Sequence, residues 1–165
     1  MRKIATWCIA LAAATLQAGT CLAQKPEPSK FYKLDFVIKE VDAGKVLNAR
    51  SYSVTVNHSG GSIRAGSKVP IPMTPNSSQL TFLDLGVSID CNMVTETENG
   101  ASLFVTADIS SILQESAPPT YPVIRQNKWT SNVTVPLKKA TTLFSSDDAT
   151  SKRQMQLELT VTPIP

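Results

Sequence analysis

One histidine and three cysteines in 165 residues leave few groups for acid–base, nucleophilic or metal chemistry. Ser–His catalysis needs the imidazole held beside a serine by a carboxylate. His58 stands instead in "HSGGS", a Gly/Ser turn in which a solvated side chain is the ordinary outcome. No pair of His, Cys or carboxylates has the spacing of a zinc site. Helical periodicity is missing beyond the N-terminal segment, as is any apolar run of the ~20 residues that a membrane-spanning helix requires. An excess of one charge is lacking too. The formal net charge of +3 includes Arg2 and Lys3, and without them the chain is close to neutral, so the basic face wanted by a nucleic-acid partner is absent.

The N-terminal segment has a purpose of its own. Arg2 and Lys3 precede an apolar run from Ile4 to Leu16, and the small and polar residues of "QAGTCLAQ" follow. That is the layout of a secretory signal. Cleavage after Ala23 would leave Gln24 at the mature N-terminus, which divides the chain into a signal peptide (1–23), a polar proline-bearing linker "QKPEPSK" (24–30) and one domain (31–165). A second reading makes Cys21 a lipid-bearing residue, although Thr20 before it fits that role poorly. With Cys8 and Cys21 removed, Cys91 is the only cysteine and no intramolecular disulfide can form. An exported domain of roughly 140 residues must then be held by its core, and that length suffices.

The rest of the chain alternates. In "FYKLDFVIKEV", Tyr32, Leu34, Phe36 and Ile38 share one face while Lys33, Asp35 and Lys39 share the other, which is the period of a strand. "DAGK" at 42–45 supplies a tight turn into "VLNARSYSVTV", and the pair reads as a β-hairpin. "IRAGSKVPIP" at 63–72 carries Pro70 and Pro72, which lack the amide donor of a central strand and place this stretch at a sheet edge or strand end. After the polar loop "MTPNSSQ", Leu83, Leu85, Val87, Ile89, Cys91 and Met93 share a face. "ETENG" turns the chain into "ASLFVTADISSI", and "LQESAPPTYP" is a loop. Three further strands are expected near 128–135, 140–145 and 152–162, the last with Met155, Leu157, Leu159 and Val161 on its apolar face. No fixed-period repeat is present. The expected fold is therefore all-β, a single sandwich or partly open barrel of about seven or eight mainly antiparallel strands.

Candidate chemical residues reduce to a few. Cys91 lies on the apolar face of a strand, where a small buried side chain is the expected role. Asp147 and Asp148 follow two serines in a turn; clustered oxygens suit calcium, and adjacent acids in a turn are ordinarily just solvated. Sequons at Asn57, Asn76 and Asn132 matter only in a glycosylating pathway. No catalytic, cofactor-binding or metal-ligating residue is expected, and no cofactor.

Several phrases fall in an order that resembles the C-terminal β-domain of bacterial secretins, the outer-membrane gate proteins of type II and type III secretion and type IV pilus systems. They are "FVIKEV", then "NARSYSVTVNHSGGSIRAGSKVP", "LDLGVSIDCNMV", "ASLFVTADISSI", "PVIRQNKWTSNVTV" and the closing "LELTVTPIP", spread over residues 31 to 165. The departures are Ser145 and Ser146 in place of a glycine pair, the lysines of "PLKKA" in place of a Gly/Asp turn, a short span between Pro72 and Leu80, and no ring-building domains before the first strand. The resemblance implies a reduced secretin-like β-domain in which Pro70 and Pro72 end the strand that leaves one sheet layer for a gate, with Gly66 permitting a close or positive-φ backbone there. It also implies a non-enzymatic envelope protein, accessory or structural in a secretion or pilus system. Such a protein would lie in the periplasm or at the outer membrane, with envelope proteins as partners and self-association as a further option. The alternative is a free periplasmic or secreted sandwich that binds a ligand or protein through its loops.

Overall fold

The computed structural model describes residues 30–73, 79–113, 123–148 and 151–165. The expected signal peptide, nearly all of the linker, Asn76 and most of the "LQESAPPTYP" loop lie outside them. Eight strands run through these residues: β1 Phe31–Asp42, β2 Lys45–Val56, β3 Gly61–Pro72, β4 Leu80–Thr97, β5 Gly100–Leu113, β6 Val123–Val135, β7 Thr141–Asp147 and β8 Arg153–Ile164. They form two four-stranded sheets, ordered β2-β1-β8-β7 and β3-β4-β5-β6, and every pairing between them is antiparallel. Neither sheet closes into a barrel. We call the first sheet A and the second sheet C.

Local chemistry explains the path. The β1–β2 hairpin turns at Ala43 and Gly44, both at positive φ (47° and 82°), which is the mirror-image turn that suits the twist of flanking strands. The chain leaves sheet A through the turn at 57–60, runs a meander of β3 to β6 in sheet C, and returns after Pro136, which cannot extend β6. Lys138 then donates its amide to the Val161 carbonyl at 2.8 Å, anchoring the return against β8.

The two sheets pack face to face, and the period-two residues fill the space between them. Tyr32, Leu34, Phe36 and Ile38 from β1 and Leu157, Leu159 and Val161 from β8 meet Val87, Ile89 and Cys91 from β4 and Leu103, Val105 and Ala107 from β5. Each fully buried Leu, Ile or Phe contributes roughly 2 kcal/mol by leaving water. The buried set contains no polar or charged residue among those described.

Two expectations are corrected. The apolar face of β4 does not keep one phase to its end, because the ladder to β5 shifts register between Asn92 and Thr95 and Val94, in the opposite phase to Cys91, is buried. β6 begins at Val123 rather than near residue 128, since its first residues pair with the end of β5 as far as Leu113↔Val123.

Candidate functional site

Sheet C is longer than the sandwich it belongs to. The β4–β5 ladder stops at Val87↔Ile109, while the β3–β4 ladder continues to Pro72↔Leu80. β3 and β4 therefore extend as a two-stranded arm beyond the packed body. Gly86 lies at its root with φ 136°, and its amide donates to the Ser110 hydroxyl at 3.0 Å instead of continuing the ladder. Gly66 pairs directly with Gly86, and a Cβ on either would sit 2.1–2.2 Å from a carbonyl oxygen across the pair. Gly66 thus answers to close approach of the two backbones rather than to positive φ.

Beyond the exposed Lys68–Asp84 pair near its root, the arm carries apolar residues on both faces. Val69, Ile71, Leu83 and Leu85 continue the core side and are half-buried. Pro70, Phe82, Pro72 and Leu80 form the other side, with Phe82 62% and Leu80 52% exposed. Pro70 and Pro72 lie on β3, an edge strand that ends at Pro72, as a missing amide donor requires.

The outer faces of the body differ in kind. On sheet A, Lys33 pairs with Asp35 at 2.9 Å and Lys39 with Glu158 at 2.6 Å, and Ser53 donates to Asp35. Burial pushes the Asp35 carboxyl up, but the hydrogen bonds from Ser53 and Lys33 outweigh it and hold the group below its ordinary value. On sheet C, Arg64 grips Asp90 with one guanidinium nitrogen (2.7 and 2.9 Å), Gln126 donates to Asp108, and Thr130 donates to Thr106. Among the described residues, neither face carries the apolar band of a lipid-facing barrel wall. The edge strands β2, β3, β6 and β7 each leave one side without a strand partner among the described residues. Basic side chains mark three of these edges, at Arg50 on β2, Arg64 and Lys68 on β3, and Arg125 and Lys128 on β6.

The residues singled out for chemistry take structural places. His58 is exposed, with Nδ1 3.0 Å from the Val94 carbonyl, and its own carbonyl accepts from the Val94 amide, so the turn is pinned to the β4 irregularity. Cys91 is buried, and burial, with the Asp90 charge adding to it, pushes its thiol up to about 12. A thiol held protonated is a poor nucleophile. Asp148 accepts from Arg125 and from Ser151, each at 2.6 Å, while Asp147 accepts from Gln154 at 2.8 Å. The two acids serve separate partners, and no metal-holding cluster of three occurs among the described residues. Asn57 accepts from the Ser59 amide, and Asn132 is exposed on β6.

Sequence reasoning missed one feature. At the arm end of the body the inward-facing positions change from apolar to basic: Arg50 lies opposite Ile38 on β2, Arg153 opens β8, and Arg125 lies opposite Ser111 on β6. Arg125 spans the two sheets, reaching Asp148 at 2.6 Å and Glu40 at 4.0 Å, and Arg153 reaches the same Glu40 oxygen at 3.2 Å.

No protein-family model matches the chain. No curated protein matches it by sequence. Solved structures match by shape. The secretin InvG of the Salmonella SPI-1 type III secretion injectisome superposes with a TM-score of 0.58 at 8% identity, over 83% of this chain and 65% of InvG. The type II secretin GspD of enteropathogenic Escherichia coli gives 0.54 at 8% identity, over 84% of this chain and 70% of that one. The GspD of an enterotoxigenic E. coli pilotin–secretin complex gives 0.51 at 7% identity, over 83% and 50%. The chain thus spans just under two thirds of InvG and half of the pilotin-bound GspD. At these identities the likeness is one of fold, and the described residues have the fold of a secretin-like β-domain.

Proposed function

We propose that this chain is a non-enzymatic protein of the bacterial envelope, exported by its N-terminal signal, that serves a secretion or pilus system as a structural or accessory part. One observation carries the proposal: within a secretin-like fold, the arm of β3 and β4 leaves Phe82 and Leu80 exposed on one face and is only half-buried on the other. An exposed apolar ribbon ordinarily marks a contact with another protein, and structures that share this fold come from secretion machines. Envelope secretion components are the fitting partners. The alternative, a free periplasmic or secreted binding module, is favoured by the basic side chains and prolines on the edge strands, which blunt edge-to-edge pairing.

Site-specific cross-linking separates the two. With Phe82→Cys in the full chain, expressed in its own envelope, a bifunctional thiol reagent should capture a secretion or pilus component, and Leu80→Ser should weaken the capture without altering thermal unfolding. A Phe82→Cys protein that stays a free periplasmic monomer overturns the machine reading in favour of the alternative. Light scattering on residues 24–165 should find the protein soluble without detergent, as a monomer or small oligomer. A detergent-dependent, heat-resistant ring would show instead that this domain builds a pore by itself.

A further inference from the structure

The arginines at the arm end of the body line a cleft. Near Gly86 an open space of about 390 Å³ lies between the two sheets. Ile38 and Met155 wall it from sheet A, and Val87, Ile109 and Ile112 wall it from sheet C. Its charged lining comprises Arg50, Arg125, Arg153 and Lys39 against the single carboxylate Glu40. Lys39 is engaged with Glu158 on the outer face of sheet A. Asp148, beside the cleft, answers one nitrogen of Arg125.

Arg50 and Arg153 are exposed, whereas the Arg125 side chain is only 23% exposed, and a guanidinium there loses hydration that only an anion repays well. Two carboxylates, Glu40 and Asp148, face three guanidinium groups. Arg125 Nε is buried and has no acceptor, and Arg50 forms no ion pair among the described residues. What the cleft lacks is one further anionic oxygen pair, attached to something apolar enough to replace water on the aliphatic walls.

We propose that this cleft is a binding site for an aliphatic carboxylate, an apolar chain lying between Ile38, Met155, Val87 and Ile112 whose carboxylate end is held by Arg50 and Arg125. A guanidinium offers paired donors in the geometry of a carboxylate, which makes arginine better suited than lysine to this task. The volume accommodates a medium-length acyl chain or the last two residues of a peptide. The site lies within one copy of the chain and does not depend on the envelope role proposed above.

The test is titration of ¹⁵N-labelled residues 24–165 with two probes, octanoate and N-acetyl-leucyl-leucine, each beside its uncharged counterpart, octanol and the dipeptide amide. Saturable shifts confined to residues around Arg50, Ile112, Arg125 and Met155 are expected for at least one carboxylate, with its uncharged counterpart at least tenfold weaker. Arg50→Ala, which breaks no ion pair, should weaken binding about tenfold or more, the worth of one charge-assisted contact. Met155→Trp should fill the cleft and abolish binding. Circular dichroism melts establish that both variants fold, and should Met155→Trp fail that check, Ile112→Trp replaces it. Octanoate alone binding identifies a free acid as the ligand, and the dipeptide alone binding identifies a polypeptide C-terminus. Absence of saturable shifts, equal binding of an uncharged counterpart, or undiminished affinity in Arg50→Ala overturns the proposal.

Discussion

The body of the sandwich and the β3–β4 arm are built from the same strands of sheet C, yet they treat alternation in opposite ways. In the body, Ile89 and Cys91 point into a core closed by the other sheet while Ser88, Asp90 and Asn92 face outward. In the arm, Leu83 and Leu85 keep the inward phase with little opposite them, and Leu80 and Phe82 occupy the phase that is polar in the body. Apolar residues on one face require only the second sheet to cover them. Apolar residues on both faces exceed anything the described residues cover, so folding accounts for the body and leaves Phe82 and Leu80 of the arm exposed.

The comparison can be broken most forcefully in the body. Ile89 is fully buried between the sheets, and Ile89→Asp would strand a carboxylate there with no partner. We expect a loss of at least ~4 kcal/mol, enough to unfold the domain in most conditions. Ser88→Asp, one residue away and on the outer face opposite Arg64, should cost under about 1 kcal/mol. Urea denaturation followed by circular dichroism measures both, and similar losses would show that inward and outward phases are not distinct here.

An intermediate effect is expected where the two regions join. In Gly86→Ala the new methyl would meet the Ala65 carbonyl oxygen at 2.2 Å on a backbone at φ 136°, a conformation that L residues rarely adopt. A loss of ~2 kcal/mol or more should follow, with faster amide exchange in β3 and the first half of β4. Gly44→Ala provides the control, since its positive φ carries strain but its surroundings are open, and it should cost about 1 kcal/mol. If Gly86→Ala proved no worse than Gly44→Ala, the arm's root would not be pinned by close approach.

How far the sequence reveals these regions depends on which force sets each residue. The strands of the body were legible because burial against a second sheet enforces period two, so Tyr32 to Ile38 and Leu157 to Val161 announce both strand and facing. The burial of Val94 escapes the same rule, because a register shift is made by pairing with β5 and leaves no trace in alternation. The first residues of β6 were overlooked because Val123 is exposed and Arg125 faces inward, which reverses the expected pattern. The arginine cleft was partly legible. Arg50 shares the phase of Tyr52, Val54 and Val56, and a basic residue in that phase could have been questioned, but its meeting with Arg125 and Arg153 depends on two sheets joined through distant chain segments. Secretin likeness was readable only as an ordered series of phrases, consistent with structural neighbours that share the fold at 8% identity.

The smallest effects belong to the charged surface, and they still distinguish body from arm. Asp35 sits on the outer face of sheet A with its side chain 30% exposed, accepting from Ser53 and Lys33, whereas the arm's Lys68 and Asp84 are 70% and 79% exposed. Water screens the second pair, so Asp84→Asn should leave stability unchanged. The Asp35 carboxyl is held below its ordinary value despite the opposing pull of burial. Its ionised form is favoured by folding, so the stabilisation is complete above the unfolded value of about 4 and is lost as pH falls through the lower folded value. Asp35→Asn should therefore cost roughly 0.5 kcal/mol at pH 7, and the difference from the parent should shrink as the buffer is taken from pH 5 toward pH 2. Chemical denaturation at several pH values reads this directly. A difference that stayed constant down to pH 2 would mean that the Ser53 bond, rather than the charge, is what the outer face of the body gains from Asp35.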